Sequence, residues 1–177
     1  HPDSLRGPAN QLPGNGYIAP QAWRTRMPEE LYPTAYVAER TIKFLENYSR
    51  TDRSKPFYIQ CSFPDPHHPF TPPGPYWDMY DPAAISLPPS FDSGERPIPP
   101  HLQELYDERA QNKSNRDGQR TFAITEREAR EAIALTYGMI AMVDDAIGSI
   151  LGWLKTLRLD DDTVILFTSD HGDFMGD

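Results

Sequence analysis

The sequence holds one cysteine, Cys61, among its 177 residues, so no disulfide can form within it. That usage fits a reducing compartment without fixing one. Positive charge is also scarce: 17 Lys and Arg stand against 26 Asp and Glu, for a net charge of -9. A nucleic-acid surface needs clustered cations, and none cluster here. The one locally basic stretch, "RTDRSK" at residues 50–55, reads as a solvated loop. No run approaches the ~20 consecutive apolar residues of a membrane span, and the mean hydropathy is -0.64. The expectation is a soluble chain, cytoplasmic or periplasmic, with no nucleic-acid partner and no membrane. The opening "HPDSLRGPANQLPGNGY" lacks both an initiating Met and the build of a signal peptide. A chain cut at both ends is the expectation there.

What is abundant is proline, at 19 residues. Proline fixes φ and removes a backbone donor, so much of the chain must be irregular or extended. Residues 1–33 read as irregular, with Tyr17 and Trp23 as candidate anchors. From Thr34, "TAYVAERTIKFLENYSR" places Val37, Thr41, Ile42, Phe44 and Leu45 at mainly helical spacing, with Thr34 as a cap. "PFYIQCSF", residues 56–63, is aromatic and β-branched and opens on proline, which predicts a strand. The proline-rich residues 64–91 demand an extended path, pinned by Tyr76, Trp77 and Tyr80. A short helix is expected around His101–Ala110, then a mobile tract, "QNKSNRDGQR", at 111–120.

Thr125 to Glu128 ("TERE") fits a capping box. Behind it the spacing predicts the longest helix, to about Leu157. Ile133, Tyr137, Ile140, Val143, Ile147, Leu151 and Leu154 recur every three or four residues as one apolar stripe. Gly138, Gly148 and Gly152 weaken that helix but would admit a close neighbour. "RLDDD" turns the chain into a last strand, Thr163–Thr168. The order helix, strand, long loop, helix, strand over residues 34–177 suits a parallel sheet covered by helices.

Three stretches carry candidate chemistry. Asp170 and His171 stand where the last strand runs out, and open α/β sheets place ligands there. A carboxylate and a neutral imidazole are both ligands for a divalent cation. The plain alternative is that Asp170 caps the next element and His171 is a loop residue. In "PDPHHPF", His67 and His68 sit on a backbone stiffened by Pro66 and Pro69, where a histidine can donate to an anionic oxygen or protonate a leaving group. Two surface histidines in a turn are the alternative. Cys61, in register with Phe57 and Ile59, reads as a buried thiol rather than a nucleophile. Asp144 and Asp145 read as a polar helix edge.

"KPFYIQCSFPDPHHPFTPP" and "LTYGMIAMVDDAIGSILGWLKTLRLDDDTVILFTSDHGDFMGD", in this order and spacing, resemble the sulfatase family of the alkaline phosphatase superfamily. "YVAERTIKFLENYSR" is similar to the helix that precedes the first of these. The resemblance covers most of residues 34–177 and is weakest over 92–124. It implies an α/β fold, an alkaline-phosphatase-like parallel-sheet sandwich with flanking helices, incomplete in this chain. It implies hydrolysis of sulfate esters, small molecules among them. Phosphate or phosphonate ester cleavage is the alternative on the same scaffold, and a non-catalytic binding module the alternative of another class. Asp170 and His171 match metal ligands, for calcium, magnesium or manganese; many sulfatases have Asn at the second position. His67 matches the His-x-Pro histidine that contacts the sulfate group or the leaving oxygen. The family's nucleophile is a formylglycine made from Cys or Ser in a C/S-x-P-x-R motif. "CSFPD" lacks the Arg, so Cys61 is not that residue. An early Asp pair, a G-K-x-H-like segment and a later Lys are also absent. The expectation is a central piece of one catalytic domain, inert alone and prone to self-association through uncovered edges.

Overall fold

The computed structural model describes residues 6–14, 16–51, 53–91, 97–111 and 123–176. Among the described residues three α-helices are found, α1 Pro33–Ser49, α2 Pro100–Ala110 and α3 Glu126–Thr156, with short 3-10 turns at Pro8–Asn10, Glu29–Leu31, Gly74–Trp77 and Pro82–Ala84. The tract expected to be mobile, 111–120, lies outside the described residues apart from Gln111.

Helix α1 begins one residue before the expected cap. Pro33 takes the first helical position, where its fixed φ is preorganised and its missing N–H costs nothing. Thr34 is thereby inside the helix, and its hydroxyl donates to Asp65 instead of capping. Thr34, Ala38, Thr41 and Leu45, three or four apart, form the buried face. Helix α3 opens on the expected capping box: the Thr125 side chain accepts from the Glu128 N–H, and Glu128 returns to the Thr125 N–H at 2.7 Å.

The face that α3 buries matches the expected stripe only in part: Ile133 and Leu154 are buried and Val143 and Ile147 half-buried. Leu135 and Met139 are fully buried, with Ala132 and Met142 nearly so, whereas Tyr137, Ile140 and Leu151 are exposed. Small and flexible side chains line the closely packed side, because α1 and the proline-rich loop press against it there. Leu45 of α1 packs with Leu154 and Leu159, flanked by Phe57 and Tyr48. Tyr32 and Tyr76 pack on Met142, and Ala19, Ala22 and Trp77 on Ala132 and Leu135. By length and composition α3 alone among the described helices would suffice to cross a membrane. Its buried Glu128 and Glu131 and its packing on three other segments are those of a core helix.

The expected parallel sheet is not formed among the described residues: they contain two isolated bridges, Gln11–Thr25 and Ala22–Phe70, and no strand ladder. Residues 56–63 still keep a two-residue rhythm, with Phe57, Ile59, Cys61 and Phe63 half-buried and Tyr58, Gln60 and Ser62 exposed. Their inner face lies on α1, where Thr41 donates to the Cys61 sulfur at 3.3 Å and Phe57 meets Tyr48 edge-on. In the last segment, Val164, Ile165, Leu166 and Phe167 are all exposed. A strand needs a neighbour to take its N–H and C=O groups, and neither segment has one among the described residues.

The long loop is pinned as expected by Tyr76 and Trp77, which are 7% and 2% exposed. Tyr80, expected as a third pin, is exposed and meets the exposed Tyr137 edge-on. The irregular N-terminal stretch is tied to α3 by the buried carboxylate of Glu131, which accepts from the Ile18 and Ala19 N–H groups at 2.7 and 2.8 Å. Trp23 is buried, and Tyr17 stacks on Trp77 at 5.1 Å.

Candidate functional site

His67 follows directly from the half-buried segment 56–63 that α1 supports. Its N–H donates to the Pro64 carbonyl at 3.2 Å, closing a tight turn. The ring is exposed, and its Nδ1 lies 2.6 Å from the His68 carbonyl oxygen. A carbonyl can only accept, so the proton sits on Nδ1 and Nε2 is the free position. The His68 ring tilts over it with centroids 4.0 Å apart. Partial burial and the neighbouring His67 push the His68 pKa down, and Asp173 opposes them.

Beneath this turn lies a buried polar group. Arg6, 2% exposed, donates through Nη2 to the His67 carbonyl and, at 2.9 Å, to the Pro69 carbonyl. The same nitrogen is 3.4 Å from Asp65 Oδ1, and Asp65 Oδ2 accepts from Thr34. Burial holds the Asp65 carboxyl above the usual carboxylate range, against the pull of Arg6 and Thr34. Tyr32, fully buried beside them, shares a 3.0 Å hydrogen bond with Thr71.

Asp170 and His171 sit in an exposed turn at the far end of the chain. Asp170 Oδ1 accepts the His171 N–H at 3.0 Å, and His171 Nδ1 lies 2.8 Å from the Gly172 carbonyl. The carbonyl again places the proton on Nδ1, so Nε2 is left bare, 3.7 Å from Asp170 Oδ2. Hydrogen bonding to His171 and its charge hold the Asp170 carboxyl low; the Gly172 bond and Asp170 raise the His171 pKa. The donor set fits a divalent cation: an ionised carboxylate and an imidazole whose second nitrogen is fixed by a backbone acceptor. Two donors are half of a usual shell, and the described residues contain no group of three or more His, Cys, Asp or Glu so placed.

Residues flanking the two turns share one buried cluster. Met175, four residues after His171, packs on the same buried cluster as Phe70, two residues after His68. The Asp173 carboxylate is near enough to act on both His68 and His171. Cys61 and Asp145 stay outside this site, Cys61 against α1 and Asp145 accepting from the Tyr76 hydroxyl at 2.8 Å. As members of this site Arg6, Asp65 and Thr34 gave no signal in the sequence, because they meet only when the chain folds over 31 positions from Thr34 to Asp65 and 61 from Arg6 to His67. An open cleft of ≈ 590 Å³ lies elsewhere, between Tyr17, Asp81 and the first turns of α3. Its Arg127 and Arg130 are already paired with Glu131 and Glu126.

The profile of the family described as Sulfatase matches residues 9–177. An arylsulfatase of Clostridium perfringens (strain 13 / Type A) is 35% identical over 149 residues, covering 84% of this chain and 28% of that protein. A choline-sulfatase of Rhizobium meliloti (strain 1021) is 28% identical over 146 residues, covering 81% of this chain and 26% of that protein. The crystal structure of a phosphonate monoester hydrolase of Agrobacterium radiobacter superposes with a TM-score of 0.72 at 29% identity, over 98% of this chain and 33% of that one. The chain thus spans about a third or less of the length of these relatives. The order of its helices, its two histidine-bearing turns and these likenesses agree: the chain belongs to the sulfatase family, with the fold of the alkaline phosphatase superfamily.

Proposed function

We propose that this chain supplies part of the active site of a metal-dependent sulfate-ester hydrolase. The observation that supports the reading is that Phe70 and Met175, which flank the His67–Pro69 and Asp170–Gly172 turns, pack on one buried cluster, with Asp173 close enough to act on His68 and His171. Asp170 and His171 would hold a divalent cation, calcium or else magnesium or manganese. Such a cation, when bound, stabilises negative charge that builds on sulfuryl oxygens. His67, its Nδ1–H committed to the His68 carbonyl, presents Nε2 to the ester. Protonated there, it donates to a sulfuryl oxygen or to the departing alcohol oxygen.

The nucleophile belongs to a formylglycine outside these 177 residues, which hold no C/S-x-P-x-R motif. The chain alone is accordingly inert. Residues 56–63 and 163–168 become strands of a parallel sheet once their open edges are paired, which accounts for an exposed run of Val164, Ile165, Leu166 and Phe167. The structural likeness to a phosphonate monoester hydrolase favours phosphonate or phosphate esters as the second reading.

The test is turnover of 4-nitrophenyl sulfate and of a 4-nitrophenyl phosphonate by a chain of the relatives' full length that carries this sequence. Activity should fall on chelation and in the His67→Ala variant. No turnover of either ester by that chain would remove the hydrolase reading and leave a binding module; turnover unchanged by both changes would remove the roles given to the cation and to His67.

A further inference from the structure

We infer that Arg6 is the positioning residue for His67, acting as a buried clamp on the backbone of the His67–Pro69 turn. The inference rests on the role given to His67 above and concerns a residue far from it in sequence. Arg6 Nη2 donates to the carbonyls of His67 and Pro69, which lie on either side of His68. One planar group thereby fixes two points of a three-residue turn. The direction in which the His67 Cα–Cβ bond leaves the chain follows from those two points.

The clamp is itself held. Asp65 lies 3.4 Å from Arg6 Nη2, and Thr34, anchored in the first turn of α1, donates to the other Asp65 oxygen. The Asp65 side chain is fully buried and that of Arg6 2% exposed, so neither samples solvent orientations. Burying a guanidinium and a carboxylate costs free energy that a stability role could meet more easily with apolar residues. A geometric role explains their retention. Arg6 makes these contacts through Nη2, whose two N–H bonds are held in the guanidinium plane as a fixed fork that a rotating ammonium lacks. The same backbone sets the His68 carbonyl that takes the His67 Nδ1 proton, so the clamp also selects the imidazole tautomer.

Misplacing a reacting group by about 1 Å can cost about 10²-fold in rate. Arg6→Ala is expected to lower kcat by about 10- to 100-fold with KM little changed, in a full-length chain. A double-mutant cycle with His67→Ala tests the route of the effect. If Arg6 acts through His67, the double variant is no slower than His67→Ala alone. If both single variants are slow and their losses multiply, or if Arg6→Ala keeps the full rate, the clamp is overturned while the hydrolase reading stands. If His67→Ala keeps the full rate, the role given to His67 falls and the clamp with it, while hydrolysis itself stands. Should Arg6→Ala fail to fold, Arg6→Lys enters the same cycle, since it keeps the charge and loses the fork. Independently of turnover, 15N shifts of the His67 ring should report a proton on Nδ1 in the unsubstituted protein. They should move toward the Nε2–H form that free imidazole prefers in Arg6→Lys; an unmoved tautomer overturns the clamp.

Discussion

A Cβ placed on Gly138 would lie 2.2 Å from the Tyr76 carbonyl oxygen. The close approach seats the Gly74–Trp77 turn against the middle of α3 and lets the Tyr76 hydroxyl reach Asp145. Two effects oppose each other in Gly138→Ala. Helix propensity favours alanine by about 1 kcal/mol. A contact this short with backbone cannot be relieved by a rotamer change, and overpacking costs about 1–3 kcal/mol or more. The variant is expected to lower the unfolding midpoint. A raised midpoint would mean that the loop does not sit on α3 in this way.

Gly138 also shows what the sequence could and could not disclose. Three glycines in α3 advertised a close neighbour; only Gly138 has one among the described residues, with nothing within 4 Å of a Cβ on Gly148 or Gly152. Helix ends were legible because their signals are local: Thr125 and Glu128 cap each other across three residues. The buried face of α3 was legible only in part, at Ile133 and Leu154, since an isolated helix with apolar residues on two sides does not say which side a neighbour takes. Exposed Tyr137, Ile140 and Leu151 formed the more regular stripe, while the packed side is built from Ala132, Leu135, Met139 and Met142. The alternation of residues 56–63 was legible as a face and not as a ladder, because a ladder is a property of two segments. At the site, residue type and order single out His67, Asp170 and His171 as candidates. The support that Arg6 gives the His67 turn depends on contacts across 61 positions of chain.

Glu131 is expected to be a strong determinant of N-terminal order. Its carboxylate, itself buried, serves two backbone donors at Ile18 and Ala19 and pairs with the exposed Arg127 at 2.8 Å. Glu131→Ala removes an acceptor from two N–H groups at once, at a cost of about 2–4 kcal/mol. Glu131→Gln keeps one acceptor oxygen and should cost less. Limited proteolysis between Tyr17 and Arg26 measures this directly, with cleavage fastest in the alanine variant. Equal cleavage in all three proteins would show that the tether is dispensable.

Cation binding should depend on both members of the 170–171 pair. Calorimetric titration of a full-length chain with calcium, magnesium or manganese is expected to show affinity reduced at least about 10-fold by Asp170→Ala and by His171→Ala. His67→Ala should leave it unchanged, since no metal role falls to His67. Loss in the His67 variant, or none in the other two, would reassign the ligands. His171→Asn is the informative replacement. It keeps a side-chain donor that many sulfatases use and should retain more affinity than alanine.

Tyr32 gives the fold a defined alkaline limit. The residue is fully buried, and burial pushes its phenol from 10.0 up to about 12, with Asp65 adding to the effect and Arg6 opposing it. A pKa raised in the folded state contributes stability that is fully present below the unfolded pKa, near 10. It is lost as pH rises through the folded value near 12. Two units correspond to about 2–3 kcal/mol over that window. Tyr32→Phe forfeits the hydrogen bond to Thr71, about 1 kcal/mol at pH 9, but escapes the alkaline loss. Denaturant midpoints should therefore favour the unsubstituted protein at pH 9, draw level near pH 11 and reverse above it. A gap that stays constant from pH 9 to pH 11 would place the Tyr32 hydroxyl in contact with water, outside the buried group that holds the His67 turn.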